Sequence, residues 1–173
     1  MTSMSLSEGD IHIEFQGVIN AEKFDDARHG MSHCLKAVDF LCDWPSDLWL
    51  VELKDPEESA IPLKYKASSV TRFTKELSTE EYFRSVLAQK LKDTVLYLHL
   101  DCRLPDKPMK YVVLVGLSTM DSAMMVNALD RLRKACGDPK PGSPWRRGYA
   151  VAFLNIEEWN KRFPHCPAKR TTT

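Results

Sequence analysis

The sequence predicts an α/β fold with helices packed on a mixed sheet, and three observations carry that prediction. Two β-type runs, Leu35–Cys42 and Leu48–Lys54, are split by the turn-forming stretch Asp43-Trp-Pro-Ser-Asp47. A helical spacing of apolar residues follows, at Phe83, Val86, Leu87, Leu91, Val95 and Leu98. The remainder alternates: a strand over Lys110–Leu117, a helix over Ser122–Cys136, a strand over Tyr149–Leu154 and a helix over Ile156–Phe163.

Each element has its own signals. Alternation in Ile11-His-Ile-Glu-Phe15 predicts a first strand, and Asn20–Arg28 is expected as a short helix with Asn20 as its cap. A polar stretch runs from Pro56 to Leu77, where Ser78-Thr-Glu-Glu81 has the spacing of a capping box opening the next helix. The run Lys110–Leu117 is apolar on both faces and is therefore expected to be central in its sheet. Gly137 ends the helix before it, and a loop rich in proline spans Gly137–Gly148.

At 173 residues the chain is expected to form a single domain, 1–173, with a substantial core. Hydrophobic residues at 43% and charged residues at 28% exclude a disordered tail, a collagen-like repeat and a coiled coil. No apolar run is long enough to cross a bilayer and the N-terminus lacks the pattern of a secretion signal, so a cytoplasmic protein without membrane contact is expected. The odd count of five cysteines matches no structural zinc spacing and agrees with reduced, mostly buried thiols.

The net charge of zero hides an asymmetry. Residues 1–60 hold 13 acids and 4 bases, a balance of −9, and the rest of the chain carries +9. That distribution suits a site holding a metal cation beside a polyanion, and equally suits two unevenly charged solvated faces.

The chemistry centres on Asp39, Glu52 and Lys54. If Trp44–Asp47 form the turn, Asp43 pairs with Leu48 and Asp39 comes opposite Glu52 on the same face, with Lys54 diagonally adjacent. Two opposed carboxylates in an otherwise apolar hairpin call for a shared proton or a cation. With the backbone carbonyl of Leu53 nearby, they match what Mg²⁺ or Mn²⁺ takes from a protein in phosphoryl chemistry. The alternative is an edge salt bridge.

An Asp late on one strand, a hairpin turn and E-x-K on the next strand resemble the PD-(D/E)XK nuclease superfamily. Residues 20–117 are similar to much of its α-β-β-β-α-β, restriction-endonuclease-like core. The resemblance implies that Asp39 and Glu52 bind the metal and that Lys54 completes the catalytic set; Val38 stands where the motif has Pro. An acid on the first helix, Glu22 or Asp26, and a polar residue on the helix after the hairpin, Gln89 or Lys90, are candidates for support.

The implied activity is Mg²⁺- or Mn²⁺-dependent endonucleolytic hydrolysis of phosphodiester bonds, in DNA rather than RNA. Targeting would come from a protein partner or homo-oligomerisation. Lys64, Lys66, Arg72 and Lys75, interleaved with Tyr65 and Phe73, form one expected phosphate-contact surface, and Arg146 and Arg147 beside Trp145 another. The rival from a different class is a non-catalytic nuclease-like scaffold, an interaction subunit of a larger defence or mobile-element complex. A glycine-rich phosphate loop, G-x-S-x-G and H-E-x-x-H are all missing from the sequence.

Overall fold

The computed structural model describes residues 3–25, 34–137 and 149–171. It has the expected α/β architecture, with a mixed five-stranded sheet flanked by helices. Strands β1 (Ser3–Glu8), β2 (Ile11–Gln16), β3 (Asn20–Lys23), β4 (Phe40–Asp43) and β5 (Leu48–Lys54) come first. Helices α1 (Leu63–Leu77) and α2 (Glu80–Tyr82) follow, with a π-helical turn over Phe83–Leu87 leading into α3 (Ala88–Leu100). The chain continues through β6 (Met109–Val115), α4 (Ser122–Cys136), β7 (Tyr149–Asn155), α5 (Ile156–Arg162) and β8 (Ala168–Arg170).

The large sheet runs in the order β3-β4-β5-β6-β7, antiparallel through β5 and parallel from β5 to β7. A three-stranded sheet, β1-β2-β8, covers one of its faces. Between the two sheets Ile11, Ile13 and Phe15 pack with Trp49, Val51, Leu53, Val112 and Leu114, and α5 closes this core with Trp159 and Phe163. On the opposite face Leu48 and Leu50 of β5 and Tyr111 and Val113 of β6 meet Phe83, Leu87 and Leu91, together with Met125 and Leu132 of α4. Side chains of β5 alternate between these cores, so Leu48, Leu50, Glu52 and Lys54 all belong to the helix-covered face. Among the described residues no helix is long and apolar enough to cross a membrane.

Several local expectations change. Asn20–Lys23 is a strand, and residues 26–28 of the expected helix lie outside the described residues. The segment gains a ladder instead of isolated turns: Lys23 pairs with Phe40, Ala21 points into the core, and Ile19 N–H and Phe24 N–H donate to the carbonyls of Asp43 and Asp39, each at 2.8 Å. The polar stretch before Leu77 contains α1, which buries only Phe73 and Leu77 and so shows little apolar periodicity. The capping-box hydroxyls turn backwards: Ser78 Oγ donates to Lys75 O and Thr79 Oγ1 to Glu76 O, which closes α1 and caps nothing in α2. Of the five free thiols only Cys42 and Cys166 are buried.

Candidate active site

The hairpin has the register expected from its turn. Asp43 pairs with Leu48 and Phe40 with Val51, and Trp44 N–H donates to Asp47 O across the turn at 2.9 Å. Asp39 immediately precedes β4, beyond the end of this ladder, and the Lys90 ammonium that reaches both side chains places its carboxylate beside Glu52. Leu53 N–H donates to Asp39 Oδ2 at 2.6 Å, which fixes the Asp39 carboxylate over the end of β5. Gly116 N–H donates to Lys54 O at 2.8 Å, so β6 holds the same strand end from the other side. The group therefore sits at the carboxyl end of the parallel pair β5–β6, where open α/β sheets place their ligand crevices.

Asp39 is delivered by an irregular segment that α3 braces. Thr94 Oγ1 accepts from Val38 N–H at 3.1 Å and Asp93 Oδ2 from Lys36 N–H at 2.9 Å. Gln89 Nε2 donates to the other Asp93 oxygen at 2.6 Å. Gln89 thus supports the brace, whereas its neighbour Lys90 reaches the carboxylates. Lys90 Nζ lies 2.9 Å from Glu52 Oε1, 3.6 Å from Asp39 Oδ1 and 3.6 Å from Asp25 Oδ2. Lys54 Nζ lies 2.5 Å from the same Glu52 Oε1, and its side chain is 26% exposed, which marks the open side of the group.

Glu52 is fully buried. Its Oε1 is shared by the two ammonium groups, and its Oε2 has no hydrogen-bond partner among the described residues. Burial, reinforced by the facing Asp39 charge, pushes its carboxyl up to about 7 despite Lys54 and Lys90. Burial also raises Asp39, against the opposing pull of Lys90 and the Leu53 N–H. Burial alone would lower Lys90, but Glu52 and Asp39 outweigh it and hold the ammonium above its ordinary range. The surrounding wall is Tyr82, raised by burial and by the charges of Glu76 and Glu52, and Tyr111, whose hydroxyl donates to Leu87 O at 2.9 Å.

Other expected residues lie elsewhere. Glu22, on β3, forms an ion pair with Arg103. Asp26, Arg146 and Arg147 fall outside the described residues. Lys64, Arg72 and Lys75 are exposed on α1, with Lys64 Nζ 4.8 Å from the Tyr65 ring centre. Lys66 turns into a groove with Asp10, Glu57, Ser59 and Arg170. That groove adjoins the same strand end, because Arg170 clamps Asp55 through two 2.8 Å hydrogen bonds and donates to Gly116 O at 2.6 Å.

The donor set fits a hard divalent cation in its chemistry: two neighbouring carboxylates, one oxygen of which is buried and unpartnered among the described residues. Among the described residues no group of three or more Asp, Glu, His or Cys side chains is placed to hold a metal, so any such ion would rest on two carboxylates. Asp25 is the addition to the expected set, and of the two supporting candidates on α3 Lys90 is the one that reaches the carboxylates. Lys90 had a readable signal, since it falls between Leu87 and Leu91 on the apolar stripe of its helix, where a charge needs a buried partner. Asp25 had none, because its placement depends on β3 being extended. The chain matches no protein-family model, no curated protein and no solved structure.

Proposed function

We propose that the protein is a Mg²⁺- or Mn²⁺-dependent hydrolase of phosphodiester bonds in nucleic acid, acting on DNA in the first instance. The observation that carries this reading is the buried Oε2 of Glu52, unpartnered among the described residues, on a side chain that neighbours Asp39 at the carboxyl end of β5. A buried carboxylate oxygen without a donor is costly unless something cationic or protonated meets it. Asp39 and Glu52 would hold the ion, with the Asp39 carboxylate oriented by Leu53 N–H. When bound, such a metal supplies an acidified water and polarises the phosphoryl oxygens.

Lys54, on the open side, would donate to the attacking water or to the charge that develops on the phosphate. Lys64, Arg72 and Lys75 on α1 offer a phosphate-backbone track, and Arg146 and Arg147, outside the described residues, are proposed as separate phosphate contacts. Nothing in these side chains forms a base-reading set, so targeting is assigned to a protein partner or a second copy in the cytoplasm.

Cleavage of plasmid and linear DNA with Mg²⁺ and Mn²⁺, wild type beside Lys54→Ala, tests the proposal. The variant should retain metal binding and lose most of the rate, because the lost interaction matters chiefly in the transition state. Absence of cleavage in wild type under all these conditions sinks it. A second reading, a non-catalytic scaffold with the same fold, is favoured by the two ammonium groups that already neutralise Asp39 and Glu52. It predicts partner binding that survives Lys54→Ala and no cleavage in either form.

A further inference from the structure

Lys90 holds a position that neither the fold nor the hairpin explains. It projects from the core-facing side of α3, and its side chain is 13% exposed. Its ammonium meets three carboxylates, those of Glu52, Asp39 and Asp25, whereas among the described residues the Lys54 ammonium pairs with Glu52. A compact point charge with rotatable donors satisfies oxygen ligands much as a cation does. Lys90 Nζ thus reaches both carboxylates that a shared ion would need, while the second oxygen of Glu52 has no partner among the described residues.

We propose that the Lys90 ammonium is the resident counter-ion of the Asp39–Glu52 pair, and that a divalent cation enters only by expelling it. The inference rests on the metal-site reading above. The two occupants exclude each other. A Mg²⁺-sized ion sits roughly 2.1 Å from a carboxylate oxygen, so with Lys90 Nζ 2.9 Å from Glu52 Oε1 the two like charges would lie within a few ångströms in a buried setting. Asp25 supplies the exit. Its carboxylate, 46% exposed, stands 3.6 Å from Nζ on the outer side of the group, and the flexible lysine stem can swing toward it while keeping an ion pair. Lys90 thereby sets a threshold for metal loading, with Asp25 as the acceptor of the displaced charge.

Calorimetric Mn²⁺ titration of wild type, Lys90→Met, Asp25→Asn and the double variant tests this. Lys90→Met should bind Mn²⁺ at least tenfold more tightly than wild type. Asp25→Asn should weaken binding when Lys90 is present and leave it unchanged when residue 90 is Met. Equal affinities for wild type and Lys90→Met overturn the counter-ion role and leave the metal site standing. Equal weakening by Asp25→Asn in both backgrounds overturns the exit role and makes Asp25 a ligand. Absence of Mn²⁺ binding in every form sinks the metal site and the inference together. A measurement on wild type needs no variant to fold: mass-spectrometric lysine acetylation should modify Lys90 several-fold faster with saturating Mn²⁺ than with chelator, with exposed Lys64 as the reference. Unchanged Lys90 reactivity on Mn²⁺ binding refutes expulsion.

Discussion

Glu52→Gln should stabilise the metal-free protein at neutral and alkaline pH. The Glu52 carboxyl is raised from an ordinary 4.5 to about 7, first by burial and second by the facing Asp39. A raised carboxyl means that between those two values the native state holds a proton that the unfolded chain has lost, so stability falls as pH rises through that window. At 1.36 kcal/mol per pH unit the ionised side chain costs roughly 3 kcal/mol once pH exceeds 7. Gln removes that cost and keeps the shape, and Asp39 loses a repelling neighbour.

Urea unfolding in chelator, followed by tryptophan fluorescence at pH 5, 6, 7 and 8, reads the effect directly, since Trp44, Trp49 and Trp159 are buried. Wild type and Glu52→Gln should agree near pH 5 and separate by up to roughly 3 kcal/mol in favour of Gln at pH 8. Parallel pH profiles, or a Gln variant less stable than wild type at pH 8, would refute the reasoning. The second result would mean that the ion pairs to Lys54 and Lys90 outweigh the burial of the charge.

Further expectations rest on the same geometry. Asp39→Ala strips the acceptor from Leu53 N–H and should cost about 1–3 kcal/mol by urea unfolding, whereas Asp39→Asn keeps that acceptor and should cost less. Thr94→Val leaves Val38 N–H without its acceptor in the segment that delivers Asp39; it should destabilise by about 1–3 kcal/mol and weaken Mn²⁺ binding in calorimetry although residue 94 is no ligand. Neutralising Lys64, Arg72 and Lys75 together should reduce the log–log salt slope of duplex DNA binding by about 0.9 per lost phosphate contact. Lys66→Gln alone should change it little, because that side chain faces the groove with Asp10 and Arg170; an unchanged slope in the triple variant removes α1 as the track.

The legible part of the site was the part that depends on local chemistry. The turn Trp44–Asp47 sets the hairpin register as far as Phe40 opposite Val51, and counting one residue on brings Asp39 toward Glu52, although that last step is held in place by α3. Helix α4 was equally readable, running from the Asp121 cap, whose side chain accepts from Met124 N–H, to Gly137 with φ +82°. What depends on distant partners was not. β3 is a strand because β4 offers it a ladder, and β8 is three residues held by Arg170 and its hydrogen bonds to Asp55 and Gly116. Likewise α1 hides from periodicity because only its last turns meet the core.

The charge asymmetry has a structural use that bears on function. Acids of the first 60 residues find bases from later in the chain: Glu14 with Lys169, Glu22 with Arg103, Asp43 with Lys107, Asp47 with Lys110, and Asp10 and Asp55 with Arg170. Asp39 and Glu52 follow the same rule through Lys90. Much of the basic excess therefore folds back on the acidic strands and offers no field to a polyanion. Any attraction for nucleic acid would have to come from bases outside these pairs, such as Lys64, Arg72 and Lys75, exposed on α1. The pairing also shows why Asp39 and Glu52 stand apart from the other acids. The Glu22, Asp43 and Asp47 pairs reach solvent, but Glu52 itself is fully buried beneath α3, with one oxygen unmet among the described residues. The fold thus concentrates its unbalanced electrostatics at one strand end, and any cation that binds there must first compete with Lys90.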